Sequence, residues 1–278
     1  MRRKDNCKMF VKSEMLRAPH AFSTRAGGVS TLSSTESLNL AFGRGDKDDT
    51  VLENLNIFGG EAGFEPHNVI SLPQVHSSAV HKVDRKYAGL GYYKRDYENY
   101  DIREGDGYVT DDPQIVLGVK SADCVPILME ARDRDGRIIA VGAVHAGWKG
   151  TVGAIAAVCV EKLCGEYGAN AYDIYASVGP CIHKCCYEVG RDVFDEVIAR
   201  LGDKYAEFFV NSGKSEAGEE KYMCDLPGIN CRILTDAGLQ AENIEALRYC
   251  TCCRHDLFYS HRYTKGNRGT MLSVIRMP

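Results

Sequence analysis

The strongest constraint on the fold lies between residues 115 and 201. Short apolar runs alternate there with helical patterns: IVLGV (115–119), VPILM (125–129), RIIAVGAVHAG (137–147) and IYASVG (174–179). Apolar and β-branched runs of this length, bounded by turn residues, read as buried strands. RDRDG (132–136) is a turn rich in Asp and Gly. TVGAIAAVCVEKL (151–163) reads as a helix opened by Thr151, and its small and apolar residues predict burial on more than one side. RDVFDEVIARL (191–201) is an amphipathic helix with Val193, Phe194, Val197, Ile198 and Leu201 on one face. LPGINCRILTDAG (226–238) is a third helix, closed by Gly238, and TMLSVIRM (270–277) is a last strand. This alternation predicts an α/β (α+β) class with mixed sheets.

The flanks are less regular. Residues 22–50 are rich in Gly, Ser, Thr and Asp and read as loops around short strands. TVLENLNIF (50–58) predicts a short helix capped by Asp49 or Thr50, and NSGKSEAGEEKY (211–222) a charged surface loop. No repeat or Pro/Gly linker divides the 278 residues, so one domain over 1–278 is expected, with its core at about 20–277.

Charge excludes one class of function. A net charge of −4 argues against nonspecific nucleic-acid binding, which depends on neutralising phosphates, but leaves room for a local basic pocket. The N-terminal MRRKDNCKMFVKSEM is positive, yet no apolar h-region follows it, and no apolar run approaches a membrane span. A cytoplasmic chain with no membrane partner is expected, and its twelve cysteines are expected to be reduced.

The candidate chemistry lies where polar residues interrupt apolar strands. His76 sits in LPQVHSSAV, Asp123 and Cys124 in SADCVPIL, and His145 in VHAGWKG. Each marks a strand end or break, where side chains converge on one pocket. Two imidazoles and a thiolate suit zinc, and three protein ligands leave a position for water or substrate. Any one histidine at a strand end is more often structural than a ligand, and the long separations supply no local signature. Gly147 and Gly150 flank Trp148 and Lys149 before a helix start. That turn either welcomes an anion such as phosphate or simply needs glycine for tightness. Arg25, Arg44 and Arg262 lie in glycine- and serine-rich loops and are oxyanion ligands or solvated charges. A second cluster, Cys181, Cys185, Cys186 with Cys250, Cys252 and Cys253, reads as Cys-x-x-x-Cys-Cys and Cys-x-Cys-Cys. Adjacent side chains tend to diverge from one ion, so free, mostly buried thiols are expected ahead of a disulfide or second metal.

Five ordered blocks carry a resemblance: FSTRAGGVS with SLNLAFGRGD (22–46), LPQVHSSAV (72–80), DGYVTDDPQIVLGVKSADCVPIL (106–128), AVHAGWKGTV (143–152) and VGPCIHKCCYEVG (178–190). The tail FYSHRYTKGNRGTMLSVI (258–275) is a weaker sixth. Together they resemble the laccase-domain (polyphenol oxidase) family of zinc-dependent purine nucleoside phosphorylases. The resemblance implies a four-layer α/β/β/α fold with mixed sheets. It implies zinc held by His76, Cys124 and His145. It implies phosphorolysis of adenosine, inosine, guanosine or methylthioadenosine to base and sugar 1-phosphate, with adenosine deamination at the same site. Cys124, His76, His145 and Asp123 become the catalytic candidates, and Asp123 and Asp106 are the carboxylates in the matching blocks, with no spacing to show which of them, if either, transfers protons. Asn39, Arg44, Lys149 and Arg262 become candidate substrate and phosphate contacts. Lys149 stands where arginine is frequent, which keeps the charge but loses bidentate geometry. A monomer or homodimer that binds a purine nucleoside and inorganic phosphate is expected. A cysteine hydrolase acting on peptidoglycan precursors, with Cys124 as nucleophile and His145 as base, is the alternative. A polyphenol oxidase is a weaker one, because a multicopper site needs more histidines than the three-ligand set, and the chain has eight.

Overall fold

A computed structural model describes residues 8–278. The first seven residues, which begin the positive N-terminal stretch, lie outside the described part. Two sheets stack face to face. The first runs in the order β1 (Phe10–Val11), β2 (His20–Ser23), β14 (Met271–Arg276), β6 (Val116–Ser121), β3 (Val69–Ile70). The second runs β13 (Ile244–Ala246), β9 (Ile174–Val178), β7 (Val125–Arg132), β8 (Ile138–Ala146), β5 (Gly107–Thr110), β4 (Val80–Lys82). Both are mixed: β3 is parallel to β6, and β4 to β5, while β7 and β8 are antiparallel.

The period of two along each strand divides the interior into three layers of side chains. Phe22, Leu117, Val119 and Ile275 from the first sheet meet Tyr108, Leu128, Val141 and Ala143 from the second. On the outer face of the first sheet, Val69, Val116 and Val274 pack on Val51, Leu55 and Phe58 of α1 (Asp48–Ala62). On the outer face of the second, Val125, Ile127, Met129 and Val144 pack on α3 (Ile155–Tyr167) and α5 (Leu226–Asp236). The order is helix, sheet, sheet, helix, as the resemblance implies. Strands covered on both faces have no solvent side, which is why 115–129 reads as nearly continuous apolar sequence.

Three local expectations are corrected. The helix expected at 50–58 begins at Asp48. Its N-cap is Lys47, without a side-chain cap, and Asp48 and Asp49 occupy the first turn, where negative charge suits the helix dipole. The single helix expected at 151–163 is two: α2 (Trp148–Val152) and α3, broken at Gly153 and at Ala154, whose φ is +52°. The break lets the first turn stay by the strand end while the second follows the sheet. The loop expected at 211–222 is a hairpin, β11 (Phe209–Lys214) and β12 (Glu220–Cys224), in a small third sheet with β10 (Glu188–Gly190). Its charges mark exposed strand faces. Phe194 of α4 (Arg191–Leu201) holds it, stacking on Tyr222 at 4.6 Å and edge-on to Phe209 at 5.1 Å.

Candidate active site

Strand pairing gathers the chemistry. Val125 pairs with Ala146 and Pro126 with His145 across β7 and β8, and Gly107 pairs with Val144 across β5 and β8. Cys124, His145 and Asp106 therefore share one end of the second sheet. His76 reaches the same point from the loop between β3 and β4. Gln74 ties that loop to β6, its side-chain amide donating to the Lys120 carbonyl at 2.8 Å and accepting from the Lys120 N–H at 2.7 Å.

His76, Cys124 and His145 each offer one ligand atom, and these atoms lie within 4.8 Å of one another. The two rings meet edge to face, with centroids 5.0 Å apart. Gly147 leaves room for this: a Cβ there would stand 2.7 Å from His76 Cδ2 and 3.3 Å from Cys124 Sγ. His145 is buried, with 3% of its surface exposed, whereas His76 is exposed. The group is thus closed from behind and open in front. Two nitrogens and a sulfur so placed fit a divalent metal that keeps a free position.

Two aspartates brace the group, in different ways. Asp106 is fully buried, and its carboxylate lies 2.9 Å from His145 Nδ1. With the imidazole proton on Nδ1, Nε2 is left to bind a metal. The same carboxylate accepts from the backbone N–H groups of Val75, His76 and Ser77 at 3.2, 3.1 and 2.8 Å, and from Ser77 Oγ at 2.9 Å. These bonds hold His76 at φ +60°, a conformation disfavoured by about 1–3 kcal/mol outside glycine. Asp123, beside Cys124, has φ +98°. Its carboxylate accepts from Thr251 Oγ1 and from the Arg262 backbone N–H, both at 2.6 Å. Both Asp123 oxygens are engaged, so Asp123 fixes the backbone ahead of Cys124. Asp106 thus contacts a ligand atom of the triad, whereas Asp123 lines a cavity beside Cys124.

Charge follows this geometry. Burial raises the Asp106 pKa, but hydrogen bonds from His145 and Ser77 outweigh it and bring the group down to about 2. Burial opposes ionisation of Cys124 too, yet the charge and hydrogen bonds of His145 and His76 pull it down to about 6. His145 moves the other way. Desolvation lowers it, and Cys124 and Asp106 raise it to about 9.

Two cavities meet over the triad and share Arg44, His76, Ala122, Cys124 and Arg268. One, about 390 Å³, is cationic, with Lys120 and Arg95 joining Arg44 and Arg268. The other, about 430 Å³, is lined by Trp148, Tyr187, Ile182 and Leu226, with His261 and Arg262 at its edge. Burial and the nearby Arg44 charge lower the Lys120 pKa to about 8, and the same two causes bring Arg268 down to about 10. The Arg44 charge thus bears on both Lys120 and Arg268.

The candidate contacts fall in three groups. Arg44 lines both cavities. Arg262 lines the aromatic one, its guanidinium donating to the carbonyls of Cys186 and Glu188 at 3.2 and 2.9 Å. Asn39 is buried and lines neither cavity. Its amide donates to Asp46 at 2.8 Å and accepts from the Thr270 N–H at 3.0 Å, so it shapes the loop that carries Arg44. Lys149 is a correction. It is exposed, lies over the Trp148 ring and lines a separate depression with Asp192, Glu196 and Arg200, because α2 turns it away from the triad. Lys120 and Arg268 were missed. Lys120 is the sole cation between Ile115 and Met129, a signal the sequence did contain. Arg268 lies in an irregular tail and left none.

Fold and site together define a four-layer α/β protein with a metal-capable His–Cys–His centre at a sheet end. A family profile described as multi-copper polyphenol oxidoreductase laccase matches residues 19–278, and the chain belongs to that family. It is 34% identical over 256 residues to the purine nucleoside phosphorylase YlmD of Bacillus subtilis, covering 92% of this chain and 87% of that one. It is 34% identical over 267 residues to the adenosine deaminase RL5 of an unknown prokaryotic organism, covering 96% of each. The crystal structure of Bacillus licheniformis YfiH superposes with a TM-score of 0.83 at 31% identity, over 93% of this chain and 92% of that one.

Proposed function

We propose that the chain is a zinc-dependent purine nucleoside phosphorylase that cleaves adenosine, and related purine nucleosides, with phosphate to free base and ribose 1-phosphate, and that also deaminates adenosine. The observation that carries this reading is the three-ligand centre at the seam between a cationic and an aromatic cavity. The names of the relatives point the same way. His76, Cys124 and His145 would hold the zinc, whose donor set of two imidazoles and one thiolate favours that metal. Bound there, it would supply a Lewis acid and lower the pKa of a water for deamination. Among the described residues, the groups able to hold a metal are this triad and one four-cysteine cluster, so no histidine-rich cluster of the kind a multicopper site needs accompanies it.

The chain's own residues divide the remaining work. Arg44, Lys120 and Arg268 bind phosphate and hold one oxygen toward the sugar C1′. Trp148 and Tyr187 sandwich the purine, with Ile182 and Leu226 excluding water. Attack of the phosphate oxygen at C1′ forms the new C–O bond as the C1′–N9 bond breaks. Its electron pair leaves on the purine, which takes up the proton that the attacking hydrogen phosphate gives up. Asp106 keeps His145 and His76 oriented throughout and takes no part in the bond changes. The chain acts as a soluble enzyme of the cytoplasm in this reading, as one domain, with nucleoside and phosphate as its partners.

Incubating the purified chain with adenosine, with and without phosphate, and quantifying adenine, inosine and ribose 1-phosphate tests the reading. Adenine release is expected to require phosphate and to match ribose 1-phosphate mole for mole. Equal adenine without phosphate would make the chain a hydrolase. No turnover of any purine nucleoside would instead favour the cysteine-hydrolase reading, in which Cys124 and His145 form the nucleophile and base.

A further inference from the structure

The cysteines of the second cluster are free, as expected, but they are not mostly buried. Cys185 and Cys253 are exposed, Cys186 and Cys252 half-buried, and Cys181 and Cys250 buried. Four of them converge. The Sγ atoms of Cys185, Cys186, Cys250 and Cys253 all lie within 4.8 Å of one another, and Cys253 is 3.5 Å from Cys185 and 3.4 Å from Cys186. We propose that Cys185, Cys186, Cys250 and Cys253 bind one zinc ion as a closed four-thiolate site, separate from the catalytic triad, that ties the turn leading to Tyr187, in the wall of the aromatic cavity, to the turn at 250–253.

Local backbone geometry explains how adjacent cysteines meet one ion. In an extended segment Cys185 and Cys186 would point to opposite sides. Here they sit in a tight turn, where the N–H groups of Cys186 and Tyr187 both donate to the His183 carbonyl, at 2.9 and 3.0 Å. Successive side chains on such a turn diverge by roughly 100°, so two can flank one point. The second pair is easier. Cys250 and Cys253 form a Cys-x-x-Cys spacing, which reading the run as Cys-x-Cys-Cys conceals. Their turn is closed by the Arg254 N–H donating to the Cys250 carbonyl at 2.9 Å. Cys181 and Cys250 form a β-bridge that sets the two segments side by side.

The chemistry favours a single dication. Four thiolates about 2.3 Å from zinc form a tetrahedron with sulfur–sulfur edges of roughly 3.8 Å, within the observed spread. An iron–sulfur cluster would spread the thiolates over two or more irons and so need a wider set. A disulfide would use two of the four and leave the other two unmatched.

A site with four protein ligands has no open position and is structural. What it would hold is informative. Tyr187, which lines the aromatic cavity, follows Cys186 directly, and the Cys186 carbonyl accepts from Arg262. Thr251, between Cys250 and Cys253, is the residue that donates to Asp123. The zinc would therefore stiffen the cavity wall and the support behind Cys124 without touching substrate.

Metal content of the full chain, purified under reducing conditions with zinc supplied, decides the matter. About two zinc ions per chain are expected. Cys253→Ser and Cys186→Ser are each expected to keep one, as is Cys124→Ser, with none in the Cys124→Ser, Cys253→Ser double variant. Cobalt loaded into Cys124→Ser should give the absorption of a tetrahedral thiolate complex, absent from the double variant. Because a variant can fail to fold, alkylation of the unaltered chain followed by mass spectrometry supplies a second reading. Cys185, Cys186, Cys250 and Cys253 should resist alkylation until a strong chelator is added. One zinc per chain in the unaltered protein with Cys124→Ser empty, ready alkylation of all four thiols in zinc-replete protein, or a disulfide among them would each overturn the proposal.

Discussion

The triad and the four-cysteine cluster are both groups able to hold a metal, and they are built in opposite ways. The triad draws one residue from each of three distant segments, Cys124 and His145 placed by strand register and His76 by a loop, and needs further residues to hold it: Asp106 behind His145 and His76, Asp123 beside Cys124, and Gly147 to leave space. The cluster draws two residues from each of two turns, and the turns themselves aim the sulfurs. The triad opens onto two cavities, whereas the cluster's four sulfurs enclose the point between them. An open centre needs outside bracing, because its geometry must survive an empty position. A closed one is braced by its own metal.

That contrast can be broken first at Cys124. Cys124→Ala should reduce nucleoside cleavage to background, since a methyl cannot replace a thiolate ligand, whereas Cys253→Ser should keep most of the activity and lose heat stability. Equal loss in the two variants would erase the distinction between catalytic and structural sulfur. Asp106→Asn comes next. Its amide retains shape but misdirects the His145 bond, and metal affinity at the triad should fall about 10- to 100-fold with the cluster's metal unaffected. Unchanged affinity, measured by competition with a chelator, would show that the bracing is unnecessary.

A smaller effect is expected among the cations. Lys120→Gln should raise the phosphate KM about 10- to 100-fold, the range for losing a hydrogen bond to a charged group. Lys149→Ala, in its separate depression, should leave it unchanged. The pH dependence has a definite sign. Lys120 is charged below about 8 and loses its proton above that, so phosphate KM should climb as pH rises through about 8. Lys120→Gln should lack that inflection and retain only the titration of phosphate itself. An identical profile in the two proteins would remove Lys120 from the phosphate site. The smallest effect belongs to Cys252→Ser, a half-buried thiol outside the four, which should change stability by no more than about 0.5 kcal/mol.

What was legible in the sequence follows the same division. The strands from Val116 to Ala146 and the helix Arg191–Leu201 announce themselves because burial on two faces, or on one stripe, leaves a periodic apolar record. His76, Cys124 and His145 stood out as polar residues at strand ends, and the ordered blocks joined them. The hairpin at Phe209–Cys224 stayed hidden because its exposed strands carry loop-like charge, and the break at Ala154 because alanine gives no warning of a positive φ. Lys149 stood out because a helix start beside glycines suggests an anion site, while the direction a side chain takes from that helix is decided by tertiary packing. The cysteines misled because the divergence of adjacent side chains holds for a strand and fails in a tight turn.

The most direct test is a crystal structure of the zinc-loaded chain with anomalous data collected at the zinc edge. Two peaks are predicted. The first should lie about 2.0–2.3 Å from His76, Cys124 and His145, with its remaining position free of protein, and the second about 2.3 Å from the sulfurs of Cys185, Cys186, Cys250 and Cys253. No peak at the triad, or a peak there with a fourth protein ligand, would contradict the account.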